Sequence, residues 1–196
     1  FLFAVPANAP IKSIRDLIAA AKAAPGKLNY GAGTSSGLLC MELFKVAAGV
    51  DLTRVPYKSS AQALTDLIGG QLDVTCEPVS SSQPNIKAGR LRALAQTGSQ
   101  RSPLVPEMET IAELGVKGMA YTAWVAFYAP AGVPKEISSR LTNELLTILR
   151  DPALAEKIRA IGFAPLPGDP EALAATHRAE MASVAAAVKA AGIKAE

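Results

Sequence analysis

The chain has 196 residues, 49% of them hydrophobic and only 5% aromatic, with 20 basic against 17 acidic residues for a net charge of +3. That length supports one sizeable core or two small ones. Near-balanced charge, with no long basic run and no aromatics interleaved with it, argues against a nucleic-acid groove, and no apolar stretch reaches the roughly 18 residues of a membrane-spanning helix.

Residues 1–6 read as a buried strand. A chain opening straight into a strand, without a charged leader, is expected to be a fragment. Ser13 is a helix N-cap with Asp16 completing a box, and Ile14, Leu17, Ile18 and Ala21 recur at helical spacing. Pro25-Gly26 stops that helix, and Leu28–Gly31 is a short strand.

The loop Gly31–Gly37 follows, then a helix over Ser36–Ala48 with Leu39, Leu43, Phe44 and Ala47 as its buried face and Gly49 as its C-terminal glycine. Leu52–Pro56 is a strand, Tyr57–Ser60 a second strand-to-helix loop, and Ser60–Ile68 a helix ended by Gly69-Gly70. Leu72–Glu77 is a strand, Pro78–Gln83 a third loop, Ile86–Ala88 a helical turn and Leu91–Thr97 a strand. This alternation predicts an α/β fold with a helix-covered, mainly parallel sheet.

The rhythm changes after Gly98. Residues 99–108 read as surface loop, Thr110–Leu114 as a short helix, and Met119–Tyr128 as a long aromatic-bearing strand or extended crossover. Helices are predicted at Lys135–Arg150, Pro152–Ala160 and Pro170–Ala190, with a small strand at Phe163–Leu166. These helices need a sheet to cover.

Three loops carry the candidate chemistry. Thr34, Ser35 and Ser36 place hydroxyls beside the free amides of a helix start, which suits a carboxylate or phosphate. A plain serine-capped connection remains the alternative. The loop lacks the GK[ST] of a phosphate-binding P-loop, and its glycines miss dinucleotide-binding spacing. Tyr57, Lys58, Ser59 and Ser60 form the second candidate. Glu77, at the carboxyl end of a strand, is the third. Strand-to-helix loops emerging at one sheet edge make a rim.

Catalysis lacks support. The single histidine, His177, is expected on a helix surface. There is no G-x-S-x-G motif, and no cofactor or metal site is expected. Cys40 and Cys76 lie on a predicted helix and strand, and both buried thiols and a disulfide remain open.

Ordered segments of the chain resemble the periplasmic substrate-binding proteins of tripartite tricarboxylate transporters, of the Bordetella uptake type. They are Ser13–Asp16 with Pro25–Tyr30, Gly33–Gly37 followed by Met41–Phe44, Val55–Lys58 with Ala63–Leu67 and Gly69–Asp73, Ile86–Ala95, and Phe127–Pro134. The resemblance implies a two-lobed, type II periplasmic-binding-protein-like fold, here N-terminally truncated. Residues 1–123 would form one complete lobe. Residues 124–196 would be a crossover strand and the C-terminal helices of the other, whose remainder is absent.

It further implies a non-enzymatic, periplasmic solute-binding role for a small carboxylate, with a signal peptide in the full-length form. Membrane transporter subunits would be its partners, without nucleic acid or membrane insertion. The ligand-binding positions that match are Thr34, Ser35, Ser36, Tyr57, Ser59, Ser60 and Glu77, the last standing where the family commonly has Asp. A ligand-sensing domain of a two-lobed regulator is the alternative.

Overall fold

The computed structural model describes residues 1–191. The last five residues of the expected C-terminal region lie outside them. The chain divides into two units, Phe1–Ala123 and Trp124–Lys189.

The first unit holds a five-stranded sheet in the order β3-β2-β4-β1-β5. Its strands are β1 (Leu2–Pro6), β2 (Asn29–Ala32), β3 (Thr53–Pro56), β4 (Val74–Glu77) and β5 (Leu91–Gln96). Its helices are α1 (Ile14–Ala23), α2 (Ser35–Ala48), α3 (Ser60–Ile68) and α4 (Val79–Lys87).

The sheet is mixed, not mainly parallel. β2 runs parallel to β3 and β4, but β1 is antiparallel to both its neighbours, β4 and β5. Strand–helix alternation does not encode the direction in which the first strand is laid down. β1 is buried along its whole length. Phe3 and Val5 pack with Leu17, Phe44 and Cys76, whereas Ala4 packs with Leu64 and Leu67. Helices therefore cover both sheet faces.

Local signals shape the helices as the sequence suggests, with one refinement. Ser13 Oγ accepts from the Asp16 amide at 3.1 Å, and the Asp16 carboxylate reaches back to the Lys12 amide at 3.0 Å. Gly49 closes α2 in the left-handed region, at φ 61°. The buried face of α2 is Gly37, Cys40, Met41 and Phe44, rotated from the expected one, so Leu39 and Leu43 are only half-buried. A Cys40–Cys76 disulfide joins that side of the helix to β4, with Met41 and Phe44 in the core beside it.

Other expectations are corrected. Residues from Val79 onward are helical, where a loop and a single helical turn were expected. Val79 and Ser82 are buried, and packing offsets the poor helix propensity of a serine-rich segment that contains Pro84. Thr110–Leu114 forms turns, not a helix. Met119–Tyr128 and Phe163–Leu166 form no strand. Extended backbone becomes a strand only beside a neighbour that completes the ladder. Near Thr97 the first segment has one such ladder bond, from the Tyr121 amide to the Thr97 carbonyl at 2.7 Å.

The second unit contains α5 (Lys135–Leu149), α6 (Pro152–Ala160) and α7 (Pro170–Ala191). Among its described residues only Ala155 is a buried hydrophobic. Ile137, Leu141 and Ile148 recur at helical spacing along α5, yet each is about half exposed. His177 is exposed on α7, with its ring edge-on to Trp124.

Candidate functional site

Because β2, β3 and β4 are mutually parallel, their carboxyl ends lie along one edge of the sheet. Each leads directly into a helix, so the N-termini of α2, α3 and α4 gather there. The rim inferred from sequence is present.

Its parts are tied together at close range. The Glu77 side chain is fully buried. Its Oε1 accepts from the Gly33 amide at 2.9 Å, and its Oε2 accepts from the Ser60 hydroxyl at 2.5 Å. One carboxylate thus pins the loop before α2 to the first residue of α3. Burial pushes the Glu77 carboxyl upward, opposed by the hydrogen bonds from Ser60 and Gly33.

Backbone contact reinforces the tie. A Cβ at Gly33 would lie 2.1 Å from the Ser59 carbonyl carbon and the Ser60 nitrogen. A Cβ at Gly37 would lie 2.8 Å from the Cys76 carbonyl oxygen and 3.3 Å from Glu77 Oε1. Neither glycine has positive φ, so both are demanded by proximity and not by backbone conformation.

Thr34 and Ser59 act as N-caps in extended conformation. Their hydroxyl oxygens accept from the amides of Gly37 (2.9 Å) and Gln62 (3.3 Å). Each hydroxyl keeps its hydrogen to donate. The amides of Ser35 and Ser36, and of Ser60 and Ala61, carry no hydrogen bond among the described residues. Thr34 and Ser35 are exposed, and Ser36, Ser59 and Ser60 are half-buried. The rim therefore presents unspent donors, and the one carboxylate inside it is already occupied. With two helix dipoles behind them, these donors suit an anion.

Six of the seven candidate residues lie within this tied group, and Tyr57 stands beside it. The Tyr57 ring lies against Gly31, where a Cβ would come within 3.1 Å of it. Its hydroxyl donates to Asp66 Oδ2 at 2.7 Å. Burial, that hydrogen bond and the Asp66 charge push the phenol up to about 12. Tyr57→Phe is expected to cost about 1 kcal/mol of stability, the net worth of one such bond. Urea denaturation of the two proteins measures it.

Sequence reasoning missed Asp66 as the partner of Tyr57, and it missed the internal engagement of Glu77. It left the disulfide open. The placement of Cys40 on a predicted helix and Cys76 on a predicted strand was the available signal for that last feature. Among the described residues no group of three or more His, Cys, Asp or Glu side chains is placed to hold a metal ion. None of the described helices is long and apolar enough to cross a membrane.

A family model described as tripartite tricarboxylate transporter family receptor matches residues 1–193. Among curated relatives, a UPF0065 protein encoded between tcbD and tcbE in Pseudomonas sp. (strain P51) is 37% identical over 180 residues, covering 90% of this chain and 53% of that protein. Protein BugT of Bordetella pertussis is 33% identical over 82% of this chain and 50% of its own length. The chain spans about half the length of these relatives.

Solved structures agree in fold. R. palustris Rpa4515 with adipate superposes with a TM-score of 0.89 at 37% identity, over 97% of this chain and 64% of that one. The periplasmic binding protein BugD superposes with a TM-score of 0.85 at 29% identity, over 100% and 67%. The α/β class and the periplasmic-binding-protein fold expected from sequence are both found.

Proposed function

Since the chain belongs to the tripartite tricarboxylate transporter receptor family, we propose that it forms part of an extracytoplasmic solute-binding component of a carboxylate uptake system. The rim of unspent donors is the observation that carries this reading. Thr34, Ser35, Ser36, Ser59 and Ser60 would receive a carboxylate through amides and hydroxyls, while Glu77 and Tyr57 hold the loops that present them. Adipate accompanies one close structural neighbour, which supports a small organic acid as ligand.

The disulfide supports an oxidising compartment such as the periplasm. Membrane transporter subunits would be the partners of the full-length protein. A binding role accords with a rim that presents free amide and hydroxyl donors.

The second unit supports a further part of the reading. Its exposed Val125, Phe127, Ile137, Leu141 and Leu166 are too apolar to face water together. We infer that residues 124–196 belong with a second lobe, and that the length found in relatives but not here supplies its sheet and the facing wall of the cleft.

A thermal-shift screen of organic acids tests the function. The full-length protein is expected to show a saturable shift with a small dicarboxylate, and the 196-residue chain a weak one or none. Turnover of an acid without any saturable shift overturns the binding reading.

A further inference from the structure

Two contacts join α2 to β4 about one helical turn apart. The first is the Cys40–Cys76 disulfide, with its Cα atoms 6.2 Å apart and both residues fully buried. The second is the near-backbone approach of Gly37 to the Cys76 carbonyl. Cys40 lies three residues after Gly37, on the same face of the helix. Cys76 lies immediately before Glu77.

Strand alternation divides the work between these two neighbours. Cys76 packs on the α2 face, and Glu77, next along the strand, meets Ser60 of α3 through Oε2 while its Oε1 stays beside Gly33 and Gly37. Gly33 belongs to the loop that feeds α2 and reaches round to Glu77. The distance from the Gly33 amide to Glu77 is therefore set by where α2 sits along β4. Met41 and Phe44 hold α2 onto the sheet by apolar packing. Such packing opposes separation but is non-directional, and so fixes axial position weakly. A slip of about 1 Å along the axis takes the Gly33 bond out of hydrogen-bonding range.

We propose that the Cys40–Cys76 disulfide is a positioning element of the rim, holding α2 and β4 in the register that lets Gly33, Ser60 and Glu77 meet. Its functional meaning rests on the carboxylate-binding reading, and its structural content does not. The bridge fixes the frame from which the amides of Ser35 and Ser36 are presented. Cys40 and Cys76 touch no ligand themselves.

Amide hydrogen exchange on the 196-residue chain tests this without any ligand. In a Cys40→Ala/Cys76→Ala variant, protection of the Gly33 and Gly37 amides is expected to fall roughly tenfold or more, while that of Phe3 and Val74 in the sheet stays within about twofold. A uniform loss across all four amides makes the bridge a source of global stability and overturns the proposal. Unchanged protection at Gly33 overturns it too.

A Cys40→Ala/Cys76→Val variant, which restores part of the lost sulfur volume, repeats the test if the first does not fold. Failure of both to fold assigns the bridge to global stability and overturns the proposal. In the full-length protein, the variant that folds is expected to bind adipate at least about tenfold more weakly than wild type. Equal affinity overturns the proposal. If wild type binds no acid at all, the function reading fails, and the exchange result still decides whether the bridge positions the rim.

Discussion

Glu77→Ala is expected to remove about 3 kcal/mol of folding stability and to abolish anion binding at the rim. The substitution leaves the Gly33 amide and the Ser60 hydroxyl without their acceptor. A buried donor left unsatisfied costs about 1–3 kcal/mol. Gly33 and Ser60 are both half-buried, so the loss is shared between the two donors. Urea denaturation measures the stability, and titration of an organic acid into the full-length variant measures the binding. A loss under about 1 kcal/mol would mean that the carboxylate does not hold the two loops together.

Glu77→Gln separates the tie from the charge. Glutamine keeps a carbonyl for the Gly33 amide and lacks a group that ionises. Burial raises the Glu77 carboxyl above its ordinary range in the folded protein. The folded state therefore holds that proton more tightly than the unfolded state does. Stability from this group is greatest below the unfolded pKa and declines as pH rises through the window up to the raised folded value. The glutamine protein lacks that decline, so its stability relative to wild type should grow with pH across the same window. Paired urea midpoints at several pH values, from acid to neutral, check the sign. A difference that is flat or reversed contradicts it.

Gly33→Ala is expected to cost about 3 kcal/mol, near the upper end for overpacking. The added methyl meets main-chain atoms of Ser59 and Ser60 at 2.1 Å, and backbone does not step aside as a side-chain tip does. Either the two loops separate, breaking the Glu77 tie, or the sheet edge distorts. Gly69 provides the control. Its φ is −74° and the nearest atom to an added Cβ is the Thr65 carbonyl oxygen, at 3.5 Å. Gly69→Ala is expected to stabilise by about 0.5 kcal/mol, through reduced freedom of the unfolded chain. Thermal denaturation of both variants reads the contrast.

Much of this architecture is legible in sequence because its determinants are local. Ser13 with Asp16, and Gly49 after α2, act within a few residues of themselves, whereas the start of α2 was read at Ser36 with a serine cap and lies at Ser35 with Thr34 as its cap. The common edge of β2, β3 and β4 follows from short strand–helix connections. What is not legible depends on partners distant in the chain. The direction of β1 is set by β4 and β5, more than 60 residues later. The aromatic run near Trp124 has strand composition, yet among the described residues it forms no strand, although the Tyr121 amide meets the Thr97 carbonyl.

α4 shows the opposite case, in which tertiary packing overrides a serine-rich, proline-containing segment. In the site, the residue types at Thr34–Ser36 and Ser59–Ser60 were readable as donors. The occupied state of Glu77 was not, because it depends on Gly33 and Ser60 meeting across two loops.

The internal occupation of Glu77 also bears on how such a site diversifies. Gly33, Gly37 and Glu77 hold the frame from within, whereas the side chains of Thr34, Ser35 and Lys58 are exposed. Selection for a new solute can therefore act on the exposed positions without disturbing the frame. A saturation library is expected to tolerate broad substitution at positions 35 and 58 and almost none at 33. The fold thus separates the residues that make a receptor from those that tune its diet.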